Sequence, residues 1–189
     1  LEVNYAGEPS DYIIEAALNG YNVKNLVKEA LPESAFKTTS KKIKATSKGN
    51  IVGYDGNTYD SMGEAFLKAG GFSADLDERQ FFDLQVRKPS DADVFVSAYK
   101  NKEYNLGNLD DIESKAELAG LSSADYINTQ LDNIFFDDES VALLSKKDHV
   151  LGTYIDSEGN YMIDVAIGLR GQNAIDNAVY LGAQSFQES

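Results

Sequence analysis

Histidine occurs once, at His149, and residue types used in hydrolytic chemistry lie close by: Ser145, Asp148, Asp156 and Ser157. A serine nucleophile works with a histidine base and an orienting acid, but those groups meet in space and usually come from distant segments. Here they crowd one short stretch, without a G-x-S-x-G elbow, a G-x-G-x-x-G turn or a Gly-rich phosphate loop. The local pattern therefore reads as a solvated histidine at the start of a strand. With one histidine and no cysteine, the chain cannot build a His-rich metal site, a thiol nucleophile, an iron–sulfur cluster or a Cys-based zinc site.

Two acidic turns carry oxygen ligands, Asp55-Gly56-Asn57 and Asp156-Ser157-Glu158-Gly159-Asn160. Neither has the spaced ligands and closing glutamate of an EF-hand loop, and hairpin turns use the same residue types. Lys115–Leu131 has the outline of a helix-turn-helix, with Gly120 at the turn and a serine cap after it. Its second helix would offer Asp125 and no base, and a DNA phosphate backbone would be repelled. Two packed helices joined by a glycine turn account for the pattern, and direct DNA binding is not expected.

The stretch from Asp55 to Gln85, DGNTYDSMGEAFLKAGGFSADLDERQFFDLQ, is similar to the opening of some phage-borne restriction-endonuclease-like nucleases. The resemblance implies a metal-binding role for Glu64. Those families add a later Asp and an acid-x-Lys on adjacent strands. Asp83-Leu84-Gln85-Val86-Arg87 has neither the second acid nor the lysine, and Val94 to Tyr99 supplies none. Ser61 and Glu64 have the simpler expected role of a helix capping box.

Behind these residues stands a break in charge near residue 50. Lys37, Lys41, Lys42, Lys44 and Lys48 come without an intervening acid, whereas residues 51–189 hold 25 acids against ten bases. The whole chain carries −14. The lysines lack arginine and interleaved aromatics, so electrostatic docking suits them better than base reading. These five are the interaction residues that the sequence singles out. No catalytic residue, metal ligand or cofactor is assigned.

The expected organisation is a helical N-terminal segment over 1–36, a basic linker or arm over 37–49, and an acidic α+β domain over 50–189. Helices are expected after Ser10 and over Val23–Leu31, Ser61–Gly70, Asn108–Gly120, from Ser122 or Ser123 through Leu131, and Asn173–Gln187. On the last, Ile175, Ala178, Val179, Gly182 and Phe186 would form the packed face. Strands are expected at Ile51–Tyr54, Thr58–Tyr59, Phe81–Val86 and Val94–Tyr99. The clearest hairpin is His149–Ile155 with Tyr161–Ile167. Without a regular β-α-β alternation, a small mixed or antiparallel sheet with packed helices is the expected architecture.

Twenty aromatics and a 42% apolar fraction can furnish a core, and no run approaches the length of a membrane span. The start at Leu1 reads as a fragment or a processed product. The expected function is non-enzymatic: a structural or assembly protein acting through a protein partner or self-association. The setting expected is a phage or mobile element, with virion or cytoplasm as the location. The alternatives are an acidic DNA-mimic inhibitor of a nucleic-acid-binding enzyme, resting on the excess of acids, and a carboxylate-based hydrolase.

Overall fold

The computed structural model describes residues 11–28, 45–76, 80–81 and 92–184. Local chemistry sets most helix boundaries. After α1 (Asp11–Leu18), the chain makes a 3-10 stretch, Val23–Lys28, where an α-helix was expected. Its first N–H is taken by a distant side chain, the amide of Asn177, at 3.1 Å. Helix α2 (Met62–Ala69) starts at Ser61, whose hydroxyl accepts the Glu64 N–H, and stops at Gly70 in the left-handed conformation. The reciprocal bond of the expected box comes one residue early, from Asp60 N–H to Glu64 Oε2 at 3.3 Å.

Helix α3 (Leu109–Ala119) has a complete capping box between Asn108 and Asp111, and ends at Gly120 with φ 69°. That left-handed turn suits glycine and throws the chain directly into α4 (Ser123–Phe135), capped by Ser122. A further helix, α5 (Asp138–Leu144), is capped by Asp137, and α6 (Ala174–Gln184) closes the described chain. The five lysines fare unequally: Lys48 is exposed on a strand, and Lys37, Lys41, Lys42 and Lys44 lie outside the described residues, as do Ser10 and Phe186.

The architecture is α+β with two antiparallel sheets. Strands β1 (Lys48–Val52) and β2 (Thr58–Ser61) form a small hairpin. The larger sheet runs β4-β3-β7-β8-β5, built from β3 (Ser73–Asp75), β4 (Gln80–Phe81), β5 (Val94–Ser97), β7 (His149–Ile155) and β8 (Tyr161–Leu169). The short β6 (Tyr104–Asn105) also pairs with β8. Its centre is the expected β7–β8 hairpin, paired from His149↔Ile167 to Ile155↔Tyr161.

Strand alternation gives this sheet two different faces. Ile163, Val165, Ile167 and Leu169 join the core with Ile13 and Ile14 of α1, Phe66 of α2 and Leu181 of α6. Each such burial is worth about 1.5–3 kcal/mol. Helix α6 turns a different side inward from the expected one: Ala174, Asn177 and Leu181 are buried, whereas Ile175 and Val179 face solvent. The reason is polar, since Asn177 accepts from Val23 N–H and donates to Tyr21 O at 2.7 Å. The other face of the sheet carries Gly152, Asp164 and Ala166, which line a cleft.

Candidate functional site

The residue that sequence reading passed over is Asp164. It sits mid-strand in β8, directly opposite Gly152 of β7. A side chain at 152 would bring a Cβ within 2.8 Å of Asp164 Oδ1, so glycine leaves the carboxylate its space. The two residues form the floor of a cleft of about 270 Å³. Phe95 and Ser97 of β5 line one side, and Tyr54, Ser73 and Tyr154 bring aromatic and hydroxyl groups to it.

Hydrogen bonds fix part of the cleft rigidly. The Tyr54 phenol lies 3.0 Å from Phe72 O, 2.8 Å from Thr153 O and 3.0 Å from the Ser73 hydroxyl. Thr153 Oγ1 accepts the Phe72 N–H at 2.7 Å and donates to Phe72 O at 2.8 Å. These bonds stitch the loop before β3 to the middle of β7, so Tyr54 cannot swing without breaking them.

Asp164 is 6% exposed. Burial pushes its carboxyl up to about 7, the charge of Glu103 adds to the rise, and a hydrogen bond with Ser97 opposes it. Burial likewise pushes the Tyr154 phenol up to about 12, helped by Glu103, Asp164 and Asp156. The cleft therefore holds a carboxyl group that changes charge near neutrality beside a phenol that keeps its proton. Among the described residues, Asp164 is the one acid lining it. Paired-carboxylate hydrolysis would need a second acid from outside that lining.

The residues around His149 do not converge. The ring is buried, not solvated: Nδ1 donates to Lys147 O at 3.0 Å and Nε2 accepts from the Tyr99 phenol at 2.7 Å. A carbonyl can only accept, which fixes that tautomer. Burial, reinforced by the charge of Lys146, lowers the imidazole to about 4 against the hydrogen bond to Lys147 O. Asp148 instead holds Arg170 through both terminal guanidinium nitrogens, at 2.5 and 2.6 Å, and Ser145 Oγ donates to Val141 O. In sequence, His149 gave no sign of burial, because Tyr99 lies fifty positions away.

The acidic turns hold themselves. Asp55 accepts from the backbone and side chain of Asn57 and from the Tyr59 hydroxyl, and these bonds keep its carboxyl below the usual range. Asp156 accepts from Glu158 N–H and twice from Asn160, with the same consequence. Glu64 pairs with Lys68 at 2.7 Å on the surface of α2. In α3 and α4, Ile112 and Ala116 pack inward, as do Ile127, Leu131 and Phe135. Among the described residues, no group of three or more His, Asp and Glu side chains is arranged to hold a metal ion, and no helix is long and apolar enough to cross a membrane.

No protein-family model matches this chain, and searches of curated proteins and of solved structures find no match either.

Proposed function

We propose that the protein is a non-enzymatic structural or assembly component that works by protein–protein contact, with the outer side of α6 as the contact face. The observation that carries this reading is the exposure of Ile175 and Val179, at 70% and 64%, one helical turn apart. Ala183 continues the same line along the helix. Single exposed aliphatics are ordinary, but two β-branched side chains in register present a ridge to a partner.

The partner in this reading is a second copy. The chain carries complementary charge within itself, five lysines between 37 and 48 and a large acidic excess from 51 onward. Two copies can each offer both signs, which offsets the repulsion of a −14 chain. A phage or mobile-element setting, in virion or cytoplasm, accompanies this reading on the strength of the sequence resemblance.

Sedimentation velocity across a range of concentration and salt tests it. The expected result is a concentration-dependent dimer that Ile175→Asp with Val179→Asp converts to monomer. A chain that stays monomeric throughout would overturn the reading. A complex with a DNA-processing enzyme that dissolves in salt and ignores the α6 changes would replace it with the acidic DNA-mimic reading.

A further inference from the structure

We propose that the cleft above Gly152 and Asp164 is a binding site for a small organic ammonium ion. The argument begins with the floor. Asp164 is almost fully enclosed, Ser97 is its hydrogen-bonding neighbour, and among the described residues no lysine or arginine forms an ion pair with it. A buried carboxylate with no counter-charge is costly, and a cation delivered by a ligand lowers that cost.

The walls narrow the chemistry. Tyr54, Phe95 and Tyr154 line the cleft, and aromatic rings attract ammonium groups through their quadrupoles. Val150 and Ala166 add apolar surface for a hydrocarbon body. Calcium would ask for about six to eight oxygen ligands, and Asp164 is the one carboxylate among the lining residues. The volume, about 270 Å³, lies just under the usual range for drug-sized ligands and suits a compact amine. Gly152 completes the site by leaving the carboxylate its space, since a Cβ there would press against Oδ1.

The same geometry makes binding depend on pH. Asp164 must be ionised to pair with an ammonium, and its burial places that ionisation at about 7. Glu103 opposes it, and Tyr154, pushed up to about 12, contributes no charge near neutrality. Affinity should therefore be about tenfold higher at about pH 8 than at about pH 6.

The probe is benzylammonium, followed by calorimetry and by amide NMR shifts of β7 and β8, with benzyl alcohol as the neutral isostere. The expected result is saturable binding that follows the pH profile above, with benzyl alcohol at least about tenfold weaker. Asp164→Asn keeps the shape and should lose at least about tenfold in affinity while melting cooperatively. Gly152→Ala should lose binding by filling the floor, and Asp164→Asn decides the matter if that variant fails to fold. Equal binding by Asp164→Asn, equal binding of benzyl alcohol, or no saturable binding by the unchanged chain would each overturn the proposal. All three readouts are independent of the α6 contact.

Discussion

The phenol of Tyr99 donates to Nε2 of His149 across 2.7 Å, joining β7 to the end of the segment that follows β5. Both side chains are buried, and their ring centroids lie 5.6 Å apart. The imidazole has no room for a second proton at this position. Its ordinary value of 6.5 falls to about 4 in the fold, so the unfolded chain takes up the proton first as pH drops. The contribution of His149 is intact above about pH 6.5 and drains away towards about pH 4, to a total of about 3 kcal/mol. Tyr99→Phe should leave Nε2 without its donor and cost about 1–3 kcal/mol, measured by urea unfolding at neutral pH.

Asp164 has the opposite slope. Its carboxyl titrates at 3.8 when unfolded and at about 7 when folded, so stability is full below 3.8 and is lost as pH rises through about 7. Between about pH 5 and about pH 6.5 the two groups oppose each other, and the unchanged chain should show a nearly flat stability profile. Asp164→Asn removes one slope. The variant should gain up to about 4 kcal/mol at about pH 8 and should lose stability steadily on acidification below about pH 6.5. Denaturant melts at a series of pH values test this, and parallel profiles for the two proteins would refute it.

Helices α2 and α4 meet at Gly63, where an added Cβ would lie 2.2 Å from Ala124 O and 2.8 Å from Asn128 Oδ1. The same Asn128 oxygen accepts the Gly63 N–H at 2.8 Å, and Asn128 is buried. Gly63→Ala should therefore force the helices apart and cost about 1–3 kcal/mol or more. Asn128→Ala should cost about 1–3 kcal/mol by orphaning the amide it caps. Thermal melts of the two variants and their double mutant would reveal the coupling, since changes at one contact do not add.

Asn177 gives a comparable test at the other end of the sheet. It ties α6 to Tyr21 O and Val23 N, and neighbouring Asn173 donates to Gly20 O at 2.9 Å. Asn177→Ala should cost about 1–3 kcal/mol and raise amide exchange at Val23 more than at β8. Uniform exchange changes across the chain would count against that local role.

What the sequence made legible was chemistry confined to a few consecutive residues. Ser61, Asn108 and Ser122 announce their helices because a cap needs only its own first turn, and the β7–β8 hairpin shows in its alternation and acidic turn. Asp137 followed by Ser140 could have signalled α5 in the same way. Strand β3, reading Ser-Ala-Asp, has no β-forming composition and is held by pairing with β7 on one side and β4 on the other. Asp164 and Gly152 are meaningful only once register sets them opposite each other, and His149 only once Tyr99 arrives. The inward side of α6 was misread because Asn177, polar by type, is the residue most committed to the interior.

The pair formed by Asp148 and Arg170 closes the open end of the β7–β8 hairpin, while the Asp156 turn closes the other. A hairpin fastened at both ends has no neighbouring alignment to fall into. A slip of one residue would exchange the faces of β8, sending Asp164 among the aliphatics and putting Ile163 or Val165 in the cleft. This part-buried ion pair thus acts as a spelling rule for the strand: it determines which letters of β8 are read on the helix side and which on the cleft side.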